Sequence, residues 1–342
     1  MSQLERCPDE ALEAHGRAVS AQSGRLLIWF AGLAGLFFCL ELPVTAVGQP
    51  SSLQPGRTEL LFASDNQIAQ QPRWSPDGTA LAFTSADYSG VWILDVRDGS
   101  VMQVTDEAAA GFGVAWSSDG SSLLARVARF DGPRRFNAVK VFNREADRAS
   151  LLTDYRARMP SLPVWSENDA HVLLVDRLRV EVLASGLAAG KAASDVEQVL
   201  LSGGRFLRTS PATRQVEVLE SGTSDGEPLN LSVSPSGNQI AFEELGGNLK
   251  VASADLVVVL DLGRGHRPRW SPDGEWIVFV RSEDDGYRIT ASDLYAARAD
   301  GSSVVQLTET TGRVESNPDW SPDGTRIAFD ADGALFVMRL LP

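Results

Sequence analysis

The chain has 342 residues, 43% of them hydrophobic and 22% charged, a composition of globular domains rather than of disorder. Its formal net charge of −14 sets it against phosphate backbones and anionic lipid, so no nucleic-acid partner is expected; a basic partner or a cation suits it better. The two cysteines, Cys7 and Cys39, precede everything described below as a repeat, which denies the later chain an internal disulfide or a thiolate metal site.

Residues 1–25 form a polar leader that carries Arg17 and Arg25 but also Glu5, Asp9, Glu10 and Glu13. Leu26–Leu40 is an unbroken apolar run of 15 residues, which as a helix covers roughly 22 Å against a hydrocarbon core of ~30 Å. Extended to Val47 it spans, so a hydrophobic helix is expected over 26–47. Two readings of it stay open. Val44-Thr45-Ala46 offers small residues for cleavage of a secretory signal, whereas Arg17 and Arg25 favour an uncleaved membrane anchor with a cytoplasmic N-terminus. The acidic leader is unusual for a signal and favours the anchor. Phe37 and Phe38 before Cys39 lack the small residues of a lipidation signal. Residues 48–57, including QPSSLQPG, are expected to be a flexible linker.

From residue 58 to 342 one motif recurs six times. Its copies are Trp74-Ser-Pro-Asp-Gly78, Trp116-Ser-Ser-Asp-Gly120, Trp165-Ser-Glu-Asn-Asp169, Val233-Ser-Pro-Ser-Gly237, Trp270-Ser-Pro-Asp-Gly274 and Trp320-Ser-Pro-Asp-Gly324. A β-prone run follows each, and the starts are 42, 49, 68, 37 and 50 residues apart, the period of a four-stranded propeller blade. Proline presets φ in the turn, serine and aspartate bond to nearby backbone donors, and glycine supplies the positive φ that closes it. Second hairpins at Asp-Gly are clearest in Val91–Thr105 and Asp293–Thr308. The expected fold is all-β: a six-bladed propeller of four-stranded antiparallel blades, preceded by one N-terminal hydrophobic helix. The last copy lacks room for a fourth strand, so Glu59–Ser64 is expected to complete that blade and close the ring. Ala184–Val196 is read as a loop or short helix inserted in blade three; a hidden seventh blade would lack a turn motif there.

On these motifs the chain resembles the propeller of the TolB family of periplasmic proteins, over roughly residues 58–342. The resemblance implies a propeller outside the cytoplasm that binds a protein partner. The third and fourth copies depart from the pattern, with Asn168-Asp169 for Asp-Gly and Val233 for Trp. TolB proper also carries an α/β domain ahead of its propeller, where here a linker stands.

Catalytic signals are weak. Gly222-Thr-Ser224-Asp-Gly226 fits the nucleophile-elbow pattern but lies among turn residues, without the strand-to-helix context that chemistry needs. Only His171 and His266 follow the leader, too few for the imidazole set of metal-dependent propeller lyases, which this repeat also resembles. Asp330-Ala-Asp332-Gly333 is similar to the start of a calcium loop but lacks its later acidic ligand, and reads as a hairpin turn. No cofactor, metal site or catalytic residue is expected.

The residues just before the turns fall on the innermost strands, near one mouth of the central channel. They are Gln71 and Arg73 in the first blade, Arg267 and Arg269 in the fifth, and Asn317 and Asp319 in the sixth. Three arginines there suit a carboxylate or acidic peptide, or else pair with Asp319 and Glu315. The resulting expectation is a non-catalytic, monomeric propeller, periplasmic or extracellular, binding a protein or peptide, with the membrane reached through residues 26–47 if uncleaved. The alternative is a tunnel-based enzyme or an accessory sugar- or ion-binding module.

Overall fold

The structure, a computed structural model, describes residues 53–341 except 147, 167, 177, 188–195, 221–225 and 258, and before them the strand backbone of Ala21–Gln22, Arg25–Phe30 and Phe38–Glu41. The rest of the leader, residues 48–52 of the expected linker, and Gly222–Asp225 of the elbow-like sequence lie outside the described residues. The chain divides into two units, Met1–Ser52 and Leu53–Pro342.

In the first unit Arg25–Phe30 pairs antiparallel with Phe38–Glu41, Leu27 opposite Glu41 and Phe30 opposite Phe38. The helix expected over 26–47 is therefore corrected to strand at 26–30 and 38–41, with 31–37 and 42–47 outside the described residues. A short apolar run does not distinguish helix from buried strand, and this one places Gly32 and Gly35 between two segments rich in aromatic and branched residues. Among the described residues no helix is long and apolar enough to cross a membrane.

The second unit is a propeller of seven blades, not six. In chain order the sheets begin at Gln70–Trp74 (blade 1), Ala115–Trp116 (blade 2), Val164–Trp165 (blade 3), Gln198–Ser202 (blade 4), Pro228–Val233 (blade 5), His266–Trp270 (blade 6) and Glu315–Trp320 (blade 7). Arg267 and Arg269 thus belong to blade 6, and Asn317 and Asp319 to blade 7. Five sheets have four strands; blades 3 and 4 have three among the described residues. The first strands of blades 5, 6, 7 and 1 lie beside one another in that order, as inner strands do around a channel.

Blade 4 escaped the motif count for a physical reason. Its strands, Gln198–Ser202, Arg205–Thr209 and Val216–Leu219, follow the order and turn spacing of the second, third and outer strands elsewhere. Only 13 residues separate the third strand of blade 3 from Gln198, against 26 between the equivalent strands of blades 1 and 2. Among the described residues no inner strand with a tryptophan turn precedes Gln198 in this blade. Gln198 partly bridges the gap, its Nε2 donating to the Trp165 carbonyl at 3.1 Å.

Each of the seven junctions between blades has its own buried cluster. Those around Phe83, Phe242, Phe279 and Phe329 hold the fourth residue of the run after the turn, at most 1% exposed. The junction of blades 3 and 4 is the sparsest, with Leu173, Val175, Leu200 and Leu207. Turn tryptophans lock neighbouring blades by donating their indole N–H across the junction: Trp116 to the Arg73 carbonyl at 3.0 Å, Trp165 to Ala115 at 3.2 Å, and Trp270 to Ser232 at 3.0 Å.

The turns share one hydrogen-bond scheme. Ser75 Oγ accepts the Ala80 N–H at 3.0 Å, and Ser271 and Ser321 accept the N–H five residues on at 2.9 Å. The turn aspartates cap the same loops; hydrogen bonds from the turn serines and backbone hold Asp77, Asp119 and Asp323 acidic, and Asp323 is pulled down to about 2 although burial opposes it. Successive turns also touch. The proline of one lies against the glycine of the next, so that a Cβ on Gly120 would stand 3.4 Å from Pro76, and one on Gly78 3.6 Å from Pro322. Between blades 2 and 3 both partners change together. Ser118 stands in the proline place and Asp169 in the glycine place, with φ 55°, and the Ser118 N–H donates to Asp169 Oδ2 at 2.6 Å.

The ring closes as the sequence suggests. Gln54–Phe62 pairs with Ala334–Leu341 as the outer strand of blade 7, Phe62 opposite Leu335 and Thr58 opposite Met338. It begins earlier than Glu59 and takes in Gln54–Arg57 of the expected linker. Deleting residues 54–62 should expose the edge of Ala334–Leu341 and remove the Leu61 and Phe62 contacts to blade 1. Thermal unfolding should then lose its single cooperative transition, and size-exclusion chromatography should show association; an unchanged melt would contradict closure by this strand.

Candidate functional site

The inner strands of blades 1, 5, 6 and 7 carry the same irregularity. Each ladder shifts register by a bulge, between Gln70 and Arg73, Leu229 and Ser232, His266 and Arg269, and Ser316 and Asp319. In each a non-glycine residue takes positive φ: Gln71 at 55°, Asn230 at 48°, Arg267 at 56° and Asn317 at 52°. Such backbone costs of the order of 1 kcal/mol or more and needs support.

The support is a hydrogen-bond chain that crosses four blades. Glu243 of blade 5 accepts the side-chain amide of Asn230 at 2.7 Å and, across the junction, the backbone N–H of Arg267. The Arg267 guanidinium donates to Asn317 Oδ1. Asn317 Nδ2 donates to Asp330 Oδ1 at 2.7 Å, and the same oxygen accepts the backbone N–H of Gln71 in blade 1 at 2.8 Å. An acid at the fifth position after the turn therefore holds its own blade's asparagine and the next blade's bulge. Blade 2 places Arg126 at that position and reverses the polarity, donating to the carbonyls of Met159 at 3.2 Å and Ser161 at 3.4 Å.

Two residues further along the strands stand Arg73, Arg269 and Asp319. Asp319 Oδ1 lies 3.8 Å from a guanidinium nitrogen of each arginine, while Oδ2 accepts the Trp74 N–H at 2.8 Å. At 3.8 Å neither ion pair is a hydrogen bond. Side-chain exposures of 19% for Arg73, 35% for Arg269 and 17% for Asp319 leave the group confined yet reachable. Burial, reinforced by Arg269, pushes the Arg73 guanidinium down to about 9, still a cation at neutral pH. Burial likewise lowers Arg269 and raises Asp319 despite both cations.

All six residues expected at the mouth thus belong to two linked tiers. The sequence reading missed Asn230, Glu243 and Asp330, whose signal was the acid after the aromatic residue in QIAFEE and RIAFDA. Glu315 does not pair with these arginines; its carboxylate accepts the Thr310 hydroxyl at 3.1 Å and that of Thr308, and burial raises its pKa. His266 Nδ1 lies 3.3 Å from Glu243, while His171 sits in blade 3 with its backbone N–H donating to Ser166 Oγ at 3.1 Å, so the two imidazoles stand in different blades. Asp332-Gly333 forms a hairpin turn with φ of 52° and 81°, the pattern of a tight primed turn. Among the described residues no three His, Cys, Asp or Glu side chains are grouped to hold a metal ion.

Asp330 yields a pH signature. Burial pushes its carboxyl up to about 6, against an ordinary ~3.9. The folded chain then keeps a proton that the unfolded chain has released. That contribution to stability is complete below about pH 4 and is lost as pH rises through about 6. Asp330→Asn retains an acceptor for Gln71 and Asn317 without the charge. Denaturant unfolding from pH 4 to 7 should show the variant gaining on the wild type by on the order of 2 kcal/mol; a pH-independent difference would contradict the assignment.

No protein-family model matches the chain. It is 28% identical over 107 residues to a "Protein TolB homolog" of Chlorobium luteolum, a stretch covering 30% of this chain and 23% of that protein's length. In structure it is similar to TolB from Acinetobacter baumannii, with a TM-score of 0.51 and 16% identity over 87% of this chain and 63% of that one. It is also similar to XC5397 of Xanthomonas campestris, a gluconolactonase, with a TM-score of 0.54 and 16% identity over 83% and 90% of the two chains. At such identities the structural likeness carries the fold alone, and one propeller frame hosts both names. The likeness to TolB-type propellers expected from the turn motif is shown in fold over most of the chain and in sequence over a short part of it.

Proposed function

We propose that the chain is a non-catalytic β-propeller that binds a protein or peptide partner at the channel mouth, through a carboxylate seated between Arg73, Arg267 and Arg269. The observation that carries this reading is the single Asp319 set between two arginines at 3.8 Å from each. Two confined cations share one carboxylate without a hydrogen bond to it, so an incoming carboxylate gains charge-assisted bonds. The long hairpins of blades 2 and 6 give a partner purchase around the mouth. They join the second strand to the third, on the side where the inner strands begin, and turn at 132–133 and 285–288. Phe130 on the first is 62% exposed and Tyr287 on the second 98% exposed, side chains suited to a protein surface rather than to water.

The same reading puts the propeller in the periplasm or outside the cell, the side implied by its resemblance to TolB proteins. The gluconolactonase likeness extends to the fold only, and no grouping of catalytic side chains around these arginines favours an enzyme.

The test is fluorescence anisotropy with a labelled acidic peptide and its amide-neutralised counterpart, against wild type and the double variant Arg73→Gln/Arg269→Gln. The wild type should prefer the acidic peptide, and the variant should lose at least about tenfold in affinity while keeping its melting temperature within a few degrees. Equal binding of both peptides, or no loss in the variant, would overturn the mouth as the binding site.

A further inference from the structure

Among the described residues blade 3 has three strands. Its outermost described strand, Arg179–Ala184, pairs inward with His171–Asp176, and among the described residues none hydrogen-bonds to its outer edge. An open edge presents alternate N–H and C=O groups to whatever lies alongside, and proteins usually cover or blunt such edges.

A cavity of about 440 Å³ lies against this edge, lined by the strand itself and by four arginines. Arg156 and Arg158 come from the connection between blades 2 and 3, where Arg156 bridges to Asn137. Arg179 begins the edge strand. Arg214 comes from blade 4, in a turn fixed by its N–H bond to the Ser210 carbonyl at 3.0 Å and by a φ of 55°. Two of these cations are neutralised: Arg156 holds Glu181 in a bidentate pair, and Arg158 lies 3.4 Å from Asp176. Arg179 and Arg214 are both exposed and make no hydrogen bond or ion pair with other described side chains. In a chain of net charge −14, two uncompensated cations beside an unpaired strand are a local reversal of sign. Leu174 and Met159 give the cavity an apolar floor.

The geometry points to a second binding site here, for an extended acidic peptide that adds to blade 3 as its fourth strand. Backbone pairing along Arg179–Ala184 supplies the register-independent part of the affinity. Carboxylates on the added strand meet Arg179 on one side and Arg214 across the notch. The occupant is a peptide rather than a small anion because the cationic groups flank a strand edge instead of converging on one point.

The full chain is titrated with a fluorescent octapeptide alternating threonine and glutamate, and with the same peptide N-methylated at alternate residues. Saturable binding of the first is expected. With the mouth site removed by Arg73→Gln/Arg269→Gln, binding should remain saturable, weaken at least about tenfold on N-methylation, and weaken to a similar degree when Arg179→Glu/Arg214→Glu is added. Hydrogen exchange should slow at Val180–Leu183 on peptide addition. No saturable binding, indifference to N-methylation, or loss only in the mouth variant would each overturn the proposal. So would binding that arises only after deletion of residues 188–195, since the edge would then belong to the chain's own segment.

Discussion

The contact on which the rest of this propeller depends is the one between successive tryptophan turns, where the proline of one blade lies on the glycine of the next. A blade is amphipathic on neither face. It buries both, and its only partners are the blades on either side. Small errors in the angle between sheets would accumulate around the ring, and the five junctions between turn-bearing blades carry a fixed spacer. Pro76 against Gly120, Pro235 against Gly274, Pro272 against Gly324 and Pro322 against Gly78 supply it, each at 3.4–3.9 Å from where a Cβ would stand. Glycine at that place supplies the positive φ, and a Cβ there would make ordinary van der Waals contact with the facing proline. The paired change to Ser118 and Asp169 shows the contact rather than the residue type being kept: a hydrogen bond replaces van der Waals contact at the same junction.

Fixing the turns fixes the opposite ends of the inner strands. There the chain must enter the channel wall from the preceding blade, and blades 1, 5, 6 and 7 do so with bulged, left-handed residues. Acids at the fifth position after the turn hold those bulges, their burial offset by donors from two blades. The arginines of the second tier stand on that frame. Their confinement and shared carboxylate follow from the architecture, and this charge arrangement costs the fold a raised Asp319 and a depressed Arg73.

Much of this was legible in the residues. The six turn motifs located six blades, and the shortfall after Ala334–Leu340 identified the closing strand, because both are written in local turn chemistry. The seventh blade was not legible: among the described residues it has no strand of the kind that carries the motif elsewhere. The N-terminal apolar run was misread because length and hydropathy alone do not separate a helix from two strands. Counting back from each tryptophan picked out six residues that the structure brings together in two tiers. Their supporting acids were missed because they act across a junction between blades, a pairing that no spacing within one repeat encodes. The uncovered edge of blade 3 arises the same way, from strands left out rather than from any motif put in.

The claim that turn-to-turn contact sets the junctions is tested most directly by a double-mutant cycle at Ser118 and Asp169, read by denaturant unfolding. Ser118→Pro alone removes the N–H that Asp169 accepts and should lower stability by about 1–3 kcal/mol. In combination with Asp169→Gly it restores the proline–glycine pair of the other junctions, and its cost should fall below about 0.5 kcal/mol, a coupling as expected for residues in direct contact. Additive effects of the two substitutions would contradict the account.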